Sequence, residues 1–307
     1  MSNFGKTERK IKDLFLSEKK FTYEQANYSV LKCDKPTSSK GECKTDVYVL
    51  AQDDLGNQKE FKISVKQNNA DFLENKISLD RAIEILGSDA QSIIERSIAK
   101  IKKTFEDDYL VYFKPYKKTK ALSLTMGWKF EFINKLGGKK CGIIDLTDQQ
   151  KIDIYAGTNL NLDKKNSSVN GETVINSGVA NYIITIDAPN KDLNYYLSKM
   201  QPIEHFAKQQ DIYFVCKALN YRANKDKWDG DRSLSVYVNW FLDQEGKLQG
   251  KLVFEKPLSV KGHSIGKNIK NLLATLQINK NNFHELNKYL HKDVRRIQSF
   301  IEVLYLL

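Results

Sequence analysis

The chain has 307 residues, 41 % of them hydrophobic, and a formal net charge of +11 at pH 7. This hydrophobic content supports a sizeable core rather than disorder, and no uncharged apolar run reaches the roughly 18 residues of a membrane span. The first six residues lead into charges and not into an apolar segment, so we expect no secretory signal. The four cysteines form no CxxC pair, which favours reduced thiols in a cytoplasmic protein over disulfides or a zinc site.

The first third of the chain has apolar spacing typical of a helix, three strands and a further helical region. In order, the predicted elements are a helix at 7–15, a strand at 28–31, strands at 45–50 and 60–67, and helices within 77–105. The second and third strands are β-branched and aromatic, and Asp53, Asp54, Gly56 and Asn57 between them are turn-forming residues. Residues 45–67 therefore predict a β-hairpin.

The remainder of the chain predicts more strands and then helices. Strands are expected at 128–133, 182–186, 212–216, 233–242 and 251–254, and helices at 265–276 and 283–307. Residues 160–178 are rich in Asn, Ser and Gly, which is typical of a linker or a long surface loop.

Most of the positive charge lies near the end of the chain. From Lys247 to Arg296 there are eleven lysines and arginines against three acidic residues, a net charge of +8. A concentrated basic surface attracts polyanions because phosphate contacts release condensed counterions. We favour nucleic acid as the partner over a merely solvated basic face, with Lys261 and Lys267 as expected phosphate contacts.

The predicted hairpin carries the residues with the clearest chemistry. Side chains alternate along a strand, so Ser64 and Lys66 are expected to face a site while Ile63 and Val65 pack in the core. Asp46 begins the neighbouring strand and can approach Lys66. A carboxylate and a backbone carbonyl, that of Val65, hold a hard divalent cation such as Mg²⁺. A cation that activates water, beside a lysine that stabilises negative charge, suits phosphodiester hydrolysis.

The residues KTDVYV from Lys44 and EFKISVKQ from Glu60 follow a loop with glycine and lysines. They resemble the motif hairpin of the PD-(D/E)xK nuclease superfamily, which includes many type II restriction endonucleases. The resemblance implies an α/β (α+β) core of helix, three antiparallel strands, helix and a further strand. It also implies Asp46 as the principal metal ligand, Lys66 as the catalytic lysine, and Mg²⁺ as the cofactor, with Mn²⁺ as a substitute.

Two positions depart from the pattern of this superfamily. Thr45 stands where the family often has proline, which is a mild change. Ser64 stands where the family usually has its second acid, and a hydroxyl is a poor, uncharged ligand for a hard cation. Another carboxylate would have to compensate, and Glu8, Glu24 and Glu60 are the candidates that the sequence leaves open.

The expected function is therefore that of a metal-dependent double-stranded DNA endonuclease, of the type II restriction kind or a close defence nuclease. Residues 1–160 would form the nuclease core, and residues 161–307 a strand-rich, then helical, region that binds DNA or forms a homodimer. The expected DNA contacts are Lys40, Lys44, Gln67, Asn68, Lys261 and Lys267. The alternatives are a catalytically inactive DNA-binding module that keeps the fold, and a structural protein whose basic face is incidental.

Overall fold

The structure, a computed structural model, describes residues 3–67, 72–75, 77–187 and 190–298. Asn68, one of the expected DNA contacts, and residues 299–307 of the predicted last helix lie outside these residues. The elements of the first half are α1 (Asn3–Glu18), β1 (Lys20–Tyr23), β2 (Ala26–Asp34), β3 (Val47–Asp53), β4 (Gln58–Gln67), β5 (Phe72–Glu74), α2 (Leu79–Leu86), α3 (Ala90–Ala99), α4 (Lys102–Glu106), β6 (Val111–Tyr112), β7 (Ser123–Ile133) and β8 (Cys141–Ile143).

The second half of the chain begins with four helices and four strands. These are α5 (Asp148–Ala156), α6 (Leu162–Lys165), β9 (Ser168–Val169), β10 (Glu172–Thr173), β11 (Tyr182–Ile186), α7 (Leu193–Ser198), β12 (Met200–Pro202) and α8 (Ile203–Lys208). The elements that follow are β13 (Tyr213–Arg222), β14 (Lys227–Trp228), β15 (Ser233–Leu234), β16 (Val236–Leu242), β17 (Leu248–Val253), β18 (Val260–Lys261), α9 (Gly262–Thr275), α10 (Leu286–Tyr289) and β19 (Arg296–Ile297), with 3₁₀ turns at Ala223–Lys225 and Phe283–Glu285.

The chain folds into two compact units, each built from two separate stretches of sequence. The first unit comprises Met1–Leu73 and Leu146–Asp211, and the second comprises Glu74–Asp145 and Ile212–Leu307. Residue 160, where the sequence suggested a domain boundary, lies inside the first unit. None of the helices in the described residues combines the length and hydropathy of a membrane span.

A mixed six-stranded sheet organises the first unit, with the strand order β1-β2-β3-β4-β11-β12. Strands β1 to β4 are antiparallel neighbours, whereas β11 runs parallel to β4. Parallel neighbours require a crossover connection, and in the first unit α5 and α6 precede β11. The helices expected within 77–105 do form, as α2, α3 and α4, but they belong to the second unit. The expected mixed α+β architecture is confirmed at this level.

The predicted hairpin is confirmed as β3 and β4, which pair with Val47 opposite Ile63. Its turn is held by the Asp53 carboxylate, which accepts hydrogen bonds from the N–H groups of Leu55 and Asn57 at 2.9 and 2.8 Å. Gly56 has φ +88°, a conformation that side chains disfavour and glycine adopts freely. One face of the hairpin belongs to the core cluster of the first unit, together with buried residues of α1 and α7.

Of the two interpretations of residues 160–178, the linker is wrong, because the segment is packed within the first unit. The alternative of a surface segment is confirmed in part, since residues 161–163 and 170–173 are exposed. Val169 and Ser177 have no exposed surface, and the carbonyl of Gly178 accepts hydrogen bonds from the N–H groups of Lys44 and Thr45 at 3.0 and 3.3 Å. Backbone groups of this segment also pair with the chain that leads into β3, at Ser168 with Thr37 and at the Gly178 carbonyl. The segment therefore positions the start of that strand.

The second unit is organised around the long, buried strand β7, in a sheet with the order β14-β13-β7-β16-β17. The predicted strands at 233–242 and 251–254 are confirmed as the β16–β17 hairpin. The predicted helix at 283–307 is wrong for residues 290–298, the part after Tyr289 that the structure describes. Leu290 and Val294 are buried as the spacing indicated, but the His291 N–H donates to the Leu248 carbonyl, and β19 pairs with β6. Backbone pairing with strands replaces the helix.

The close approach at Gly178 gives a stability prediction. A Cβ at this position would lie 1.8 Å from the Lys164 carbonyl oxygen, so Gly178→Ala is expected to destabilise the protein by about 3 kcal/mol or more. Gly5→Ala is the control, because its Cβ would meet only Arg9 Nη2 at 4.0 Å; it should be neutral or stabilising by about 0.5 kcal/mol. Urea denaturation of both variants measures the difference, and a Gly178→Ala protein of wild-type stability would contradict this packing.

Candidate functional site

The site begins at Asp46, the residue immediately before β3. The Asp46 N–H donates to the Ile63 carbonyl at 2.8 Å, which continues the hairpin ladder by one residue. Its carboxylate accepts a hydrogen bond from the Val65 N–H at 2.7 Å. Two backbone groups of β4 therefore hold Asp46, one through its main chain and one through its side chain.

The alternation along β4 places the predicted residues as the pattern indicated. Ile63 and Val65 belong to the core cluster of the first unit, with 0 % and 6 % exposure. Ser64 and Lys66 consequently point to the opposite face of the sheet. Lys66 is near enough to Asp46 for its positive charge to lower the pKa of that carboxyl. The strand register is thus the expected one.

The surroundings of Asp46 favour its protonated form. Burial is the largest effect and raises the pKa of Asp46 to about 6, and the negative charge of Glu8 adds to the increase. The positive charges of Lys66 and Lys35 and the hydrogen bond from Val65 act in the opposite direction without cancelling it. Carboxyl groups with a pKa near neutral are typical of functional sites. Burial and neighbouring like charges destabilise the folded protein, and such arrangements are found mainly where a reaction or a ligand needs them.

Asp46 opens onto a cleft of about 280 Å³, lined by α1 and by the loop between β2 and β3. Besides Asp46, its charged residues are Glu8, Glu42 and Lys35. The remaining lining residues are Pro36, Thr37, Ser38, Gly41, Cys43 and Thr45. The cleft therefore carries three carboxylates and one ammonium group. Lys35 and Glu42 were not anticipated from the sequence, where only their position in a charged loop ahead of Asp46 could have indicated them.

Of the three candidates for a second acid, the structure brings Glu8 to Asp46. Glu8 lines the same cleft, and its charge acts on the Asp46 carboxyl. Glu24 lies in the turn between β1 and β2. Glu60 accepts a hydrogen bond from the Tyr48 hydroxyl at 2.6 Å, and neither it nor Glu24 borders the cleft.

Two hydroxyl groups near Asp46 are buried without a hydrogen-bond partner among the described residues. They belong to Thr45 and Ser64, both of which have no exposed surface. Ser64 lies on the face of the sheet expected for a site residue, but Ile183 of β11, also fully buried, pairs beside it. Ser64 is therefore closed to solvent.

The donors in the cleft are of the kind that a hard divalent cation takes. Asp46 and Glu8 supply carboxylate oxygens, and the unpartnered Thr45 hydroxyl borders the same cleft. The N–H and C=O of one residue in a strand point to the same side, so the Val65 carbonyl faces the side on which Asp46 accepts the Val65 N–H. No group of three or more His, Cys, Asp or Glu residues in the described part of the chain is arranged to hold a metal. Mg²⁺ in proteins is commonly bound by only one or two carboxylates, and water and substrate phosphates complete its coordination. Asp46 and Glu8 meet this requirement.

The expected DNA contacts are divided between the two units. Lys40 is exposed in the loop that lines the cleft, while the Lys44 ammonium donates to the Leu73 carbonyl at 3.1 Å. Gln67 is the last residue of β4. Lys261 and Lys267 are exposed in the second unit, at the N-cap and in the middle of α9.

No family model, no curated protein and no solved structure matches this chain. A partly buried carboxyl group, a second carboxylate in the same cleft and a nearby lysine can together bind a divalent cation and stabilise negative charge on a substrate.

The pKa of Asp46 predicts how stability changes with pH. The folded-state pKa of about 6 exceeds the usual value near 4. The contribution of Asp46 to the free energy of unfolding is therefore most favourable below pH 4, and it is lost as the pH rises through 6. Asp46→Asn removes this loss, so it should be more stable than the wild type by about 2 kcal/mol at pH 8 and lose that advantage at pH 4. Thermal melting across this pH range measures the difference, and an Asp46→Asn protein less stable than the wild type at pH 8 would contradict the assignment.

Asp53→Asn provides a control of opposite sign. Hydrogen bonds from the Asn57 side chain and from backbone N–H groups lower the pKa of Asp53. The stability contributed by Asp53 is therefore present above its unfolded pKa and is lost as the pH falls, so the variant should be less stable at pH 8 and converge with the wild type in acid.

Ser64 gives a second prediction at this site. Ser64→Ala removes a buried hydroxyl that has no partner, so stability should be unchanged or slightly higher. Ser64→Glu places a carboxylate where no solvent reaches, and it should cost several kcal/mol. Urea denaturation distinguishes the two variants; a stable Ser64→Glu protein would show that this face is open.

Proposed function

We propose that this chain is a metal-dependent endonuclease that hydrolyses phosphodiester bonds in double-stranded DNA. The observation that carries the proposal is the Asp46 carboxyl, which has a pKa of about 6 and is held 2.7 Å from the Val65 N–H, with Lys66 nearby and a cleft before it. An amide at this position would avoid the cost of burying a charge, so the presence of an acid favours a chemical role over a purely structural one.

The topology of the first unit supports a restriction-endonuclease-like core. The resemblance implies a helix, three antiparallel strands, a helix and a further strand. The first unit has this order in α1, then antiparallel β2, β3 and β4, then α5, and then β11, which runs parallel to β4. Residues of the second unit are inserted between β4 and α5, and β1 and β12 extend the sheet at its edges. The motif lies on the β3–β4 hairpin, whereas the parallel pairing of β11 with β4 is a long-range feature that the motif does not specify.

The residues that line the cleft and those on the adjoining strand β4 have distinct roles in the proposed reaction. Asp46, Glu8 and the Val65 carbonyl would hold Mg²⁺ or Mn²⁺, which when bound polarises a phosphate and lowers the pKa of a water ligand. Lys66 orients the attacking water and stabilises the negative charge that develops on the phosphate oxygens. Ser64 is buried and contributes no charge, so Glu8 takes the role of the second acid that the superfamily usually has at the position of Ser64.

The basic residues supply the binding of DNA in this proposal. The net charge of +8 between Lys247 and Arg296 provides phosphate contacts that do not depend on sequence, and Lys261 and Lys267 are exposed within it. A type II restriction enzyme in the cytoplasm, acting alone or as a homodimer, is the particular activity that we propose.

A catalytically inactive DNA-binding module is the second candidate. Ser64 in place of the usual acid favours it, as does the lack of a group of three metal-binding side chains within the described residues. This candidate binds DNA with the same salt dependence as the nuclease but does not cleave it.

Incubation with phage and supercoiled plasmid DNA, with Mg²⁺ or with EDTA, tests the proposal. The wild type should give discrete fragments only with the metal, and Asp46→Asn should bind DNA without cutting it. Lys66→Met should reduce the cleavage rate by about a hundredfold or more. Lys62→Met is the matched control, because Lys62 lies on the same face of β4 but pairs with Glu60 at 3.3 Å.

The outcomes separate the candidates. Metal-dependent cleavage that survives in folded Asp46→Asn would contradict the assignment of the site. Salt-sensitive DNA binding by the wild type without cleavage would support the inactive module instead.

A further inference from the structure

The Lys35 ammonium is the only lysine or arginine charge that lines the cleft, as far as the described residues show. It lies 2.5 Å from a Glu8 carboxylate oxygen. Burial lowers the pKa of Lys35, but the hydrogen bond and charge of Glu8 and the charges of Asp46 and Glu42 outweigh burial and raise it. All three carboxylates of the cleft therefore act on one ammonium group.

The Thr45 hydroxyl is a separate indication that the cleft takes a ligand. Thr45 has no exposed surface, it borders the cleft, and its oxygen has no hydrogen-bond partner within the described residues. A buried polar group without a partner is costly, and such groups in native proteins call for a ligand, an ion or a water molecule.

We propose that Lys35 is a built-in counter-cation of the cleft, and that a divalent cation binding at Asp46 and Glu8 displaces it. In the metal-free protein the ammonium group neutralises Glu8 and reduces its repulsion of Asp46. The divalent cation takes over both carboxylates, and Lys35 moves into solvent. This inference rests on the proposed function, since it concerns the same metal site.

The exposure of the two partners decides which one moves. The Lys35 side chain is 44 % exposed, whereas the Glu8 side chain is 15 % exposed. A lysine ammonium on its flexible stem is readily hydrated, so Lys35 can leave without disturbing the packing. Glu8 projects from α1, whose Ile11 and Phe15 are in the core, and it stays in place.

Competition of this kind has a consequence that can be measured. The ion pair between Lys35 and Glu8 has to be broken when the metal binds. The free energy of that ion pair is subtracted from the binding of the metal, so Lys35 weakens the affinity. Removing the charge should therefore strengthen divalent binding, by about tenfold for a partly exposed pair. If Lys35 only braced the loop, its removal would leave the affinity unchanged or reduce it.

Isothermal titration with Mn²⁺ in the absence of DNA tests the proposal on the full-length protein. Lys35→Met should bind Mn²⁺ about tenfold more tightly than the wild type, and Lys35→Arg, which keeps the charge, should stay close to it. Lys32→Met is the matched control: Lys32 pairs with Glu172 at 2.6 Å outside the cleft, and the variant should bind Mn²⁺ as the wild type does. Melting curves establish that each variant is folded.

Asp46→Asn separates the failure of this inference from the failure of the proposed function. One outcome is that Mn²⁺ binds the wild type and not Asp46→Asn, but binds Lys35→Met no more tightly than the wild type. In that case Lys35 is not a counter-cation, and the proposed metal site is still supported. If Mn²⁺ binds none of the proteins, or binds Asp46→Asn as well as the wild type, the metal site is absent and both proposals fall. Binding that is detectable only in Lys35→Met would support the displacement directly.

Discussion

The hydrogen bond between the Val65 N–H and the Asp46 carboxylate is the interaction on which the site depends. It lies at the point where β3 begins, one residue beyond the pairing of Val47 with Ile63. The same strand alternation that places Ile63 and Val65 in the core directs Lys66 to the other face. Packing on one face thus holds the charged groups on the other. The free-energy cost of burying the carboxylate is offset only in part, because its pKa stays well above the ordinary value.

The local features of the fold could be predicted, and the long-range features could not. The β3–β4 hairpin follows from alternating side chains and from the turn residues Asp53 and Gly56, all of which act within a few positions. The helices α2 to α4 were also expected, but not their place in the second unit. Apolar periodicity shows that a helix buries one face, but it does not show which strand or helix that face packs against. Only the pairing of β11 with β4 reveals that the first unit resumes after an insertion.

The same limit applies to the site. The proximity of Asp46 and Lys66 could be predicted because both lie on one hairpin, whose register fixes their faces. The choice of Glu8 among three glutamates depends on how α1 packs, and Lys35 enters the cleft through a loop whose path is set by contacts with residue 178 and its neighbours. Ser64 lies on the face of the sheet expected for a site residue, but it has no exposed surface. Its neighbour in the sheet, Ile183 of β11, comes from a distant part of the chain, so this burial could not be predicted from the hairpin alone.

The central claim is that Asp46 holds a divalent cation in the cleft next to Glu8. The most direct measurement is an anomalous difference map from crystals of the protein soaked in Mn²⁺. We expect one strong peak at about 2.1 Å from an Asp46 carboxylate oxygen, the distance typical of octahedral oxygen ligands, with the Lys35 side chain moved away from Glu8. A map with no peak at Asp46, or with the only peak at another site, would contradict the claim.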